Sequence, residues 1–274
     1  MRFENTTVHN FDGAFRGMRN PKESWGKSDS CFGIDCNDEN VIARIPDGNC
    51  FVKLEQDGDY FVFASIGKND MALAQSLIKA GGEHRKFLRQ ILVSVDITAS
   101  LFWWKEFDTY KVGTVANSTS TMHKIHSKPI TLDCFEVDDL CNIFFDDEPN
   151  NDLGFGGDVE YFIQRLEKLR LGYLSYIKRS KSKDITESER KHFQRIAKRY
   201  WKELIRWLPE SWLQTRTVTM NYENLLGMCS KGQRRFHELN EWSGKENSEV
   251  PNFISWARTL PYAQDFIFID EEVE

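Results

Sequence analysis

No stretch of the chain comes near the roughly 20 consecutive apolar residues of a membrane-spanning helix. The first ten residues, Met1 to Asn10, are polar and charged, unlike a secretory leader. Together these absences lead to the expectation of a cytoplasmic protein. The six cysteines, Cys31, Cys36, Cys50, Cys134, Cys141 and Cys229, include no Cys-x-x-Cys pair and have no histidine at ligand spacing. That pattern argues against a zinc site or a disulfide framework and reads as reduced structural thiols. A basic surplus is also missing: 36 Lys and Arg stand against 42 Asp and Glu, a net charge of −6. Generic nucleic-acid binding is therefore disfavoured, while a local basic pocket stays compatible with the composition. Acidic residues do cluster between Glu136 and Glu148, but without the glycine and regular spacing of a calcium loop. They read as an exposed acidic insertion near residues 132–153, and no metal site is expected.

What is present suits a folded domain. At 274 residues the chain can bury a full core, and one α+β domain spanning 1–274 fits its length. Alternating Phe3, Val8 and Phe11 suggest an opening strand. The following stretch, Gly13 to Ser30, mixes Arg16, Arg19, Lys22 and Lys27 with glycines and Trp25 and reads as a loop. Short apolar runs separated by Asp47-Gly48 and Asp57-Gly58 predict a β-hairpin or meander over 35–67. Asn69 or Asp70 can then cap a helix running to Lys79.

The densest chemistry lies from Gly82 to His123. Phe87, Leu88, Ile91, Leu92 and Val95 recur at spacings of three and four and predict a helix. A second helix is expected through Leu101-Phe102-Trp103-Trp104 and Phe107, ending at Lys111. Beyond it Gly113, Thr114, Asn117, Ser118, Thr119, Ser120 and Thr121 offer short donors and acceptors. Such a set either closes round an anion or forms a plain hydroxyl-rich connection, and the residues alone leave both readings open.

Further on, two 3.6-residue patterns predict a long helical hairpin over about 158–208, its second helix opened by a Thr186/Glu189 capping box. Residues 212–221 alternate hydroxyl and apolar side chains before a helix over 222–229. A last helix is expected over 250–260, then an edge strand at Phe266 to Ile269. The fold class that follows is α+β, with a mixed or antiparallel sheet from the N-terminal half and the chain end packed against long helices. Trp103, Trp104 and the aromatic hairpin carry more apolar surface than one layer readily covers, which points to a homo-oligomer.

The order of features from about residue 70 to 125 resembles the flavin-dependent thymidylate synthases, whose signature runs Arg-His-Arg-x-x-Ser-x-Asn-Glu-x-Ser-x-Arg. Glu83-His84 matches the family's upstream Glu-His. Thr109-Tyr110-Lys111 stands where Arg-His-Arg would, keeping only the last basic charge, and Thr114 stands for the first serine. With one inserted residue, Asn117, Ser118, Thr119 and Ser120 stand for Asn-Glu-x-Ser, and Met122 replaces the final arginine. Thr219-Met220-Asn221 leading a helix is a fainter echo, which places Lys231, Arg234 or Arg235 where the family has a phosphate-binding arginine.

The resemblance implies a thymidylate-synthase-complementing-protein-like fold and a homotetramer. It also implies reductive methylation of dUMP or a related pyrimidine nucleotide, with FAD taking hydride from NADPH and methylene-tetrahydrofolate supplying the carbon. His84, Thr109, Tyr110, Lys111 and Asn117 would serve the cofactor. Ser118, Thr119 and Ser120, with Lys231, Arg234 or Arg235, would meet the nucleotide, Ser120 being the catalytic candidate, and these groups would line one pocket. Two other classes stay open: a nucleotide- or flavin-binding module without the reaction, and a structural oligomer with a vestigial pocket.

Overall fold

The computed structural model describes residues 1–32, 64–137 and 155–271. In chain order its elements are β1 (Arg2–His9), α1 (Phe11–Arg19), β2 (Cys31–Phe32), β3 (Ala64–Ser65), α2 (Lys68–Lys79), β4 (Leu92–Ser100), α3 (Leu101–Phe107), β5 (Val115–Ser118), α4 (Thr121–Lys124), α5 (Phe155–Ser180), α6 (Glu187–Arg206), β6 (Leu213–Asn221), α7 (Tyr222–Met228), α8 (Asn240–Ser243), α9 (Phe253–Arg258) and α10 (Ala263–Phe266). Four strands hydrogen-bond in the order β1-β4-β6-β5, and β2 pairs antiparallel with β3. The class is α+β, as expected. The hairpin anticipated over 35–67 and the acidic stretch lie largely outside the described residues.

Contacts cluster into two units that interleave in sequence: residues 98–109 and 117–216 with Met1, and residues 2–97, 110–116 and 217–274. In the second unit α1 opens the aromatic core, because Phe11, Ala14, Phe15 and Met18 repeat at helical spacing and all are buried. This replaces the loop expected after Gly13, and Phe11 belongs to the helix rather than to the opening strand. Phe11 meets Tyr222 edge-on at 5.7 Å, and Phe15 meets Phe87 at 5.9 Å.

The helix expected over Phe87 to Val95 is also corrected. Lys86–Gln90 forms only a 3₁₀ turn, and the chain then extends as β4. From Val93 onward the period is two: Val93, Val95, Ile97 and Ala99 are buried, and the β-branched run Val-Asp-Ile-Thr favours the pleated backbone. Phe87 and Leu88, buried from the 3₁₀ turn, combine with Ile91 and the strand residues Leu92 and Val95 to mimic a period of three and four.

The chain end brings a further correction. Phe266, Ile267 and Phe268 are all buried, so they do not alternate as an edge strand would. They belong to α10 and the turn after it, entered through Tyr262 at a positive φ of 54°. Asn252 caps α9 by accepting from the Ser255 N–H at 2.8 Å.

In the first unit the helical hairpin holds nearly as read. Thr186 and Glu189 complete a reciprocal capping box at the start of α6. Helices α5 and α6 close against each other where Tyr176 stacks on Tyr200 at 5.6 Å. Gly172 permits this approach, since a Cβ there would lie 2.5 Å from the Tyr200 ring. Leu166 and Leu204 bury themselves with Ile125, Ile130 and Phe135. Trp103 and Trp104, expected to be exposed, are fully buried instead, 4.9 Å apart and packed on Phe107. Among the described residues no helix is long and apolar enough to cross a membrane.

Candidate functional site

In the second unit, residues 110–114 form a braced turn beside the N-terminus of α7. The Thr114 hydroxyl donates to the Tyr110 carbonyl, and the Asn224 side-chain amide donates to the Val112 carbonyl at 2.7 Å. Gly113 sits at a φ of 79°, where a Cβ would come within 2.9 Å of both Asn221 and Asn224, so only glycine fits without strain. Asn221 and Asn224 form a reciprocal capping box that fixes the start of α7.

This turn aims Tyr110 at the loop after α7. Arg234 donates through Nε to the Tyr110 hydroxyl at 3.0 Å, and the hydroxyl donates to Gln233 Oε1 at 3.2 Å. The Arg234 guanidinium also lies 5.5 Å from the Tyr110 ring centroid and 5.0 Å from that of Trp242. Two loops distant in sequence thus meet through residues that sequence reading had singled out separately. Lys111 and Lys231 are exposed.

Arg235 has a different environment. Its side chain is 2% exposed and pairs with Asp270 at 2.7 Å and with Glu271 at 3.4 Å, while Nε donates to the Cys229 carbonyl at 2.7 Å. Its charge is neutralised inside the fold. Neighbouring Cys229 is buried, and burial pushes its thiol up to about 12.

His84 is exposed in the turn after α2, its N–H donating to the Gly81 carbonyl at 3.0 Å. Beside it, Arg85 and Arg89 both bind Glu223 in the first turn of α7. Burial raises the Glu223 pKa, but the hydrogen bonds from Arg89 and Arg85 outweigh it and hold the carboxyl below its ordinary range.

In the first unit Thr109, Asn117, Ser118 and Thr119 are exposed. The Thr109 hydroxyl donates to the Glu106 carbonyl at 2.7 Å. The Thr119 N–H donates to the Thr215 carbonyl at 2.9 Å, and Gln214 donates to the Thr119 carbonyl at 3.0 Å. Ser120 is the N-cap of α4, its hydroxyl accepting from the His123 N–H at 3.0 Å. The hydroxyl can still donate elsewhere.

One residue that sequence reading passed over belongs with this set. Arg216 donates to Gln214 Oε1 at 2.9 Å and to Asp108 Oδ1 at 2.8 Å, with its guanidinium 4.2 Å from the Trp104 ring centroid. Its signal was present: it is the one cation in the alternating run Gln214 to Thr219. Among the described residues no group of three or more His, Cys, Asp or Glu could hold a metal ion.

The fold described here is that of the flavin-dependent thymidylate synthases. In particular, the chain is similar to the flavin-dependent thymidylate synthase of Helicobacter pylori complexed with FAD and dUMP, with a TM-score of 0.53 and 15% identity over 98% of this chain and 99% of that one. A second structure of thymidylate synthase X from Helicobacter pylori with FAD and dUMP gives a TM-score of 0.52 and 14% identity over 98% of each chain. No protein-family model and no curated protein sequence matches the chain. The likeness is one of fold.

Proposed function

We propose that this protein is a flavin-dependent thymidylate synthase-like enzyme acting on dUMP or a related pyrimidine nucleotide. The observation that carries the reading is the Tyr110–Arg234 contact, which joins the degenerate signature turn to the loop expected to supply a phosphate-binding cation. Arginine is the residue type suited to bidentate phosphate recognition, and here Tyr110 and Trp242 orient it. Lys111 and Lys231 add charge from exposed positions.

The same donor set suits a flavin dinucleotide, because a diphosphate asks for several cations and its rings for aromatic faces. Tyr110, Lys111 and Arg234 would hold that group, with His84, Thr109 and Asn117 as further contacts. When bound, FAD would supply hydride transfer, with NADPH and methylene-tetrahydrofolate as the implied reductant and carbon source. Ser118 and Thr119 would offer polar contacts to the nucleotide. Ser120, already fixed by capping α4, would direct its hydroxyl proton at the pyrimidine.

A second reading is favoured by specific residues. Thr109 and Met122 stand where the signature has arginines, and a lysine orients a dianionic phosphate less well than an arginine fork. A binding module that keeps the pocket but not the reaction would have this pattern. The two readings separate in one experiment. Purified protein is examined for a flavin absorbance spectrum, then assayed for tritium release from labelled dUMP with FAD, NADPH and methylene-tetrahydrofolate. The enzyme reading expects a yellow protein and turnover. Nucleotide binding without turnover selects the module, and the absence of binding to dUMP and to FAD overturns both.

A further inference from the structure

The acidic composition of the chain conceals a segregation of charge. Residues 155–206 hold 14 Lys and Arg against 7 Asp and Glu, leaving 22 against 35 elsewhere. On α6, Lys191, Arg195, Lys198, Lys202 and Arg206 follow one another at intervals of four, three, four and four, with Arg199 beside them. At about 100° per residue these six cations share an arc of roughly 100°, and they extend over about 22 Å of helix.

All six are exposed. Lys191 reaches Glu187 at 3.7 Å and Arg206 touches Glu203. Arg195, Lys198, Arg199 and Lys202 have no carboxylate partner among the described residues. Like charges three and four residues apart destabilise a helix, so a stripe of this length is relieved by an external anion. The apolar side of α6 is occupied, since Ala197 and Leu204 are buried and Tyr200 packs on Gly172 of α5. Between its cations the arc carries only Ser188, so it presents no apolar side chain to a bilayer.

A second feature borders the stripe. Lys198 forms part of the wall of a cavity of about 300 Å³ completed by His126, Tyr173, Ile177, Gln194 and Trp201 together with Met122 and His123. The His126 and Tyr173 rings lie 4.8 Å apart, and the Trp201 indole is fixed by donating to the Met122 carbonyl at 2.7 Å. The Nδ1 atom of His126 is buried and has no hydrogen-bond partner among the described residues. An aromatic-walled cavity of this volume beside a row of cations has the makings of a seat for a base next to a track for phosphates.

We propose that this face of α6 binds single-stranded nucleic acid, with successive phosphates on Arg195, Lys198, Lys202 and Arg206 and one unstacked base in the cavity of His126, Tyr173 and Trp201. A paired base cannot enter such a cavity, which sets single strands apart from duplexes. The acidic remainder of the chain confines binding to this one face.

Fluorescence anisotropy with labelled oligo-dT and oligo-rU of about 12 nucleotides, a duplex of equal length and phosphatidylserine vesicles tests the proposal between about 50 and 200 mM salt. Single strands should bind more tightly than the duplex or the vesicles. The triple variant Arg195→Ala/Lys198→Ala/Lys202→Ala, altered only at exposed positions, should lose at least about tenfold in affinity. Its log K against log salt slope should fall by about 2, at roughly 0.7 per phosphate contact. Tyr173→Ala should weaken single-strand binding roughly five- to a hundredfold and leave the slope unchanged. No binding by wild type, or a triple variant that binds as wild type does, overturns the proposal. Duplex or vesicle binding as tight as that of the single strands overturns it as well, by reducing the stripe to a general polyanion surface. If Tyr173→Ala does not fold, the triple variant and the duplex comparison still decide.

Discussion

Arg19 donates through Nε to Asp70 Oδ1 at 2.6 Å, and the two side chains are 5% and 0% exposed. The other Asp70 oxygen accepts from the hydroxyls of Ser28 and Ser30, each at 2.6 Å, and from the Ser30 N–H at 3.2 Å. Both oxygens of the carboxylate are thereby engaged, and the segment before β2 is tied to the first turn of α2. Burial raises the Asp70 pKa, but the hydrogen bonds from Ser28, Ser30 and Arg19 and the charge of Arg19 outweigh it, so the group lies below its ordinary range.

A depressed folded pKa means that the unfolded chain takes up the proton first as pH falls. The stabilisation from Asp70 is therefore fully present above the ordinary aspartate value of about 3.9. It is lost as pH drops through the lower folded value. Asp70→Ala strands Arg19 in the interior and should cost about 3–5 kcal/mol, and it should flatten the acid limb of a urea-melt stability profile. An unchanged midpoint and acid limb would show that the pair contributes nothing.

Gly113→Ala combines a positive φ with a Cβ 2.9 Å from Asn221 and Asn224. We expect a loss of about 1–3 kcal/mol from overpacking and backbone strain together, measured by chemical denaturation. Because the turn also positions Tyr110, this variant should weaken nucleotide binding more than its loss of stability alone would.

Lys111→Ala should weaken dUMP binding by about 1.5–3 kcal/mol, roughly ten- to a hundredfold, through loss of a charge-assisted contact. Arg234→Lys should not preserve affinity, because an ammonium cannot both donate to the Tyr110 hydroxyl and present a fork. Ser120→Ala should leave affinity nearly intact while removing turnover. It also removes the cap of α4, at a cost of about 1 kcal/mol. Calorimetry paired with the tritium-release assay reads all three, and equal affinity for Lys111→Ala and wild type would remove Lys111 from the site.

Assembly into a homo-oligomer is expected from the apolar surface that the hairpin leaves open. Tyr161, Leu171 and Trp207 are each at least half exposed, and a groove of about 900 Å³ is bordered by Tyr161, Phe162, Leu166, Leu169, Tyr200 and Trp207. Surfaces of this kind are commonly covered by a partner. Light scattering across micromolar concentrations should therefore find a species larger than one chain, four being the number the family resemblance implies, and a lone 32.1 kDa species would refute it.

The sequence by itself determined the elements whose signals are local. The period of α5 and α6, the capping box at Thr186 and Glu189, helix α3 through Trp104, and α7 after Asn221 each rest on residues within a few positions of one another. Patterns of that range survive whatever the rest of the chain does. Tertiary structure decided β4, where Phe87 and Leu88 pack into the aromatic core and Val93 begins an alternation that only pairing with neighbouring strands makes visible. It decided the chain end as well, because Phe266, Ile267 and Phe268 can all be buried only when aromatic neighbours surround a short helical turn.

The candidate site divides in the same way. Tyr110, Lys111, Ser120 and Arg234 were legible as residue types in suitable loops. Their surroundings were not: Arg234 and Arg235 are adjacent in sequence, yet one lies against Tyr110 and Trp242 while the other pairs with Asp270 and Glu271. That difference depends on which carboxylates the folded chain brings within about 4 Å and which rings within about 6 Å, where Coulomb and cation–π energies become large enough to matter. No local pattern encodes such a distance.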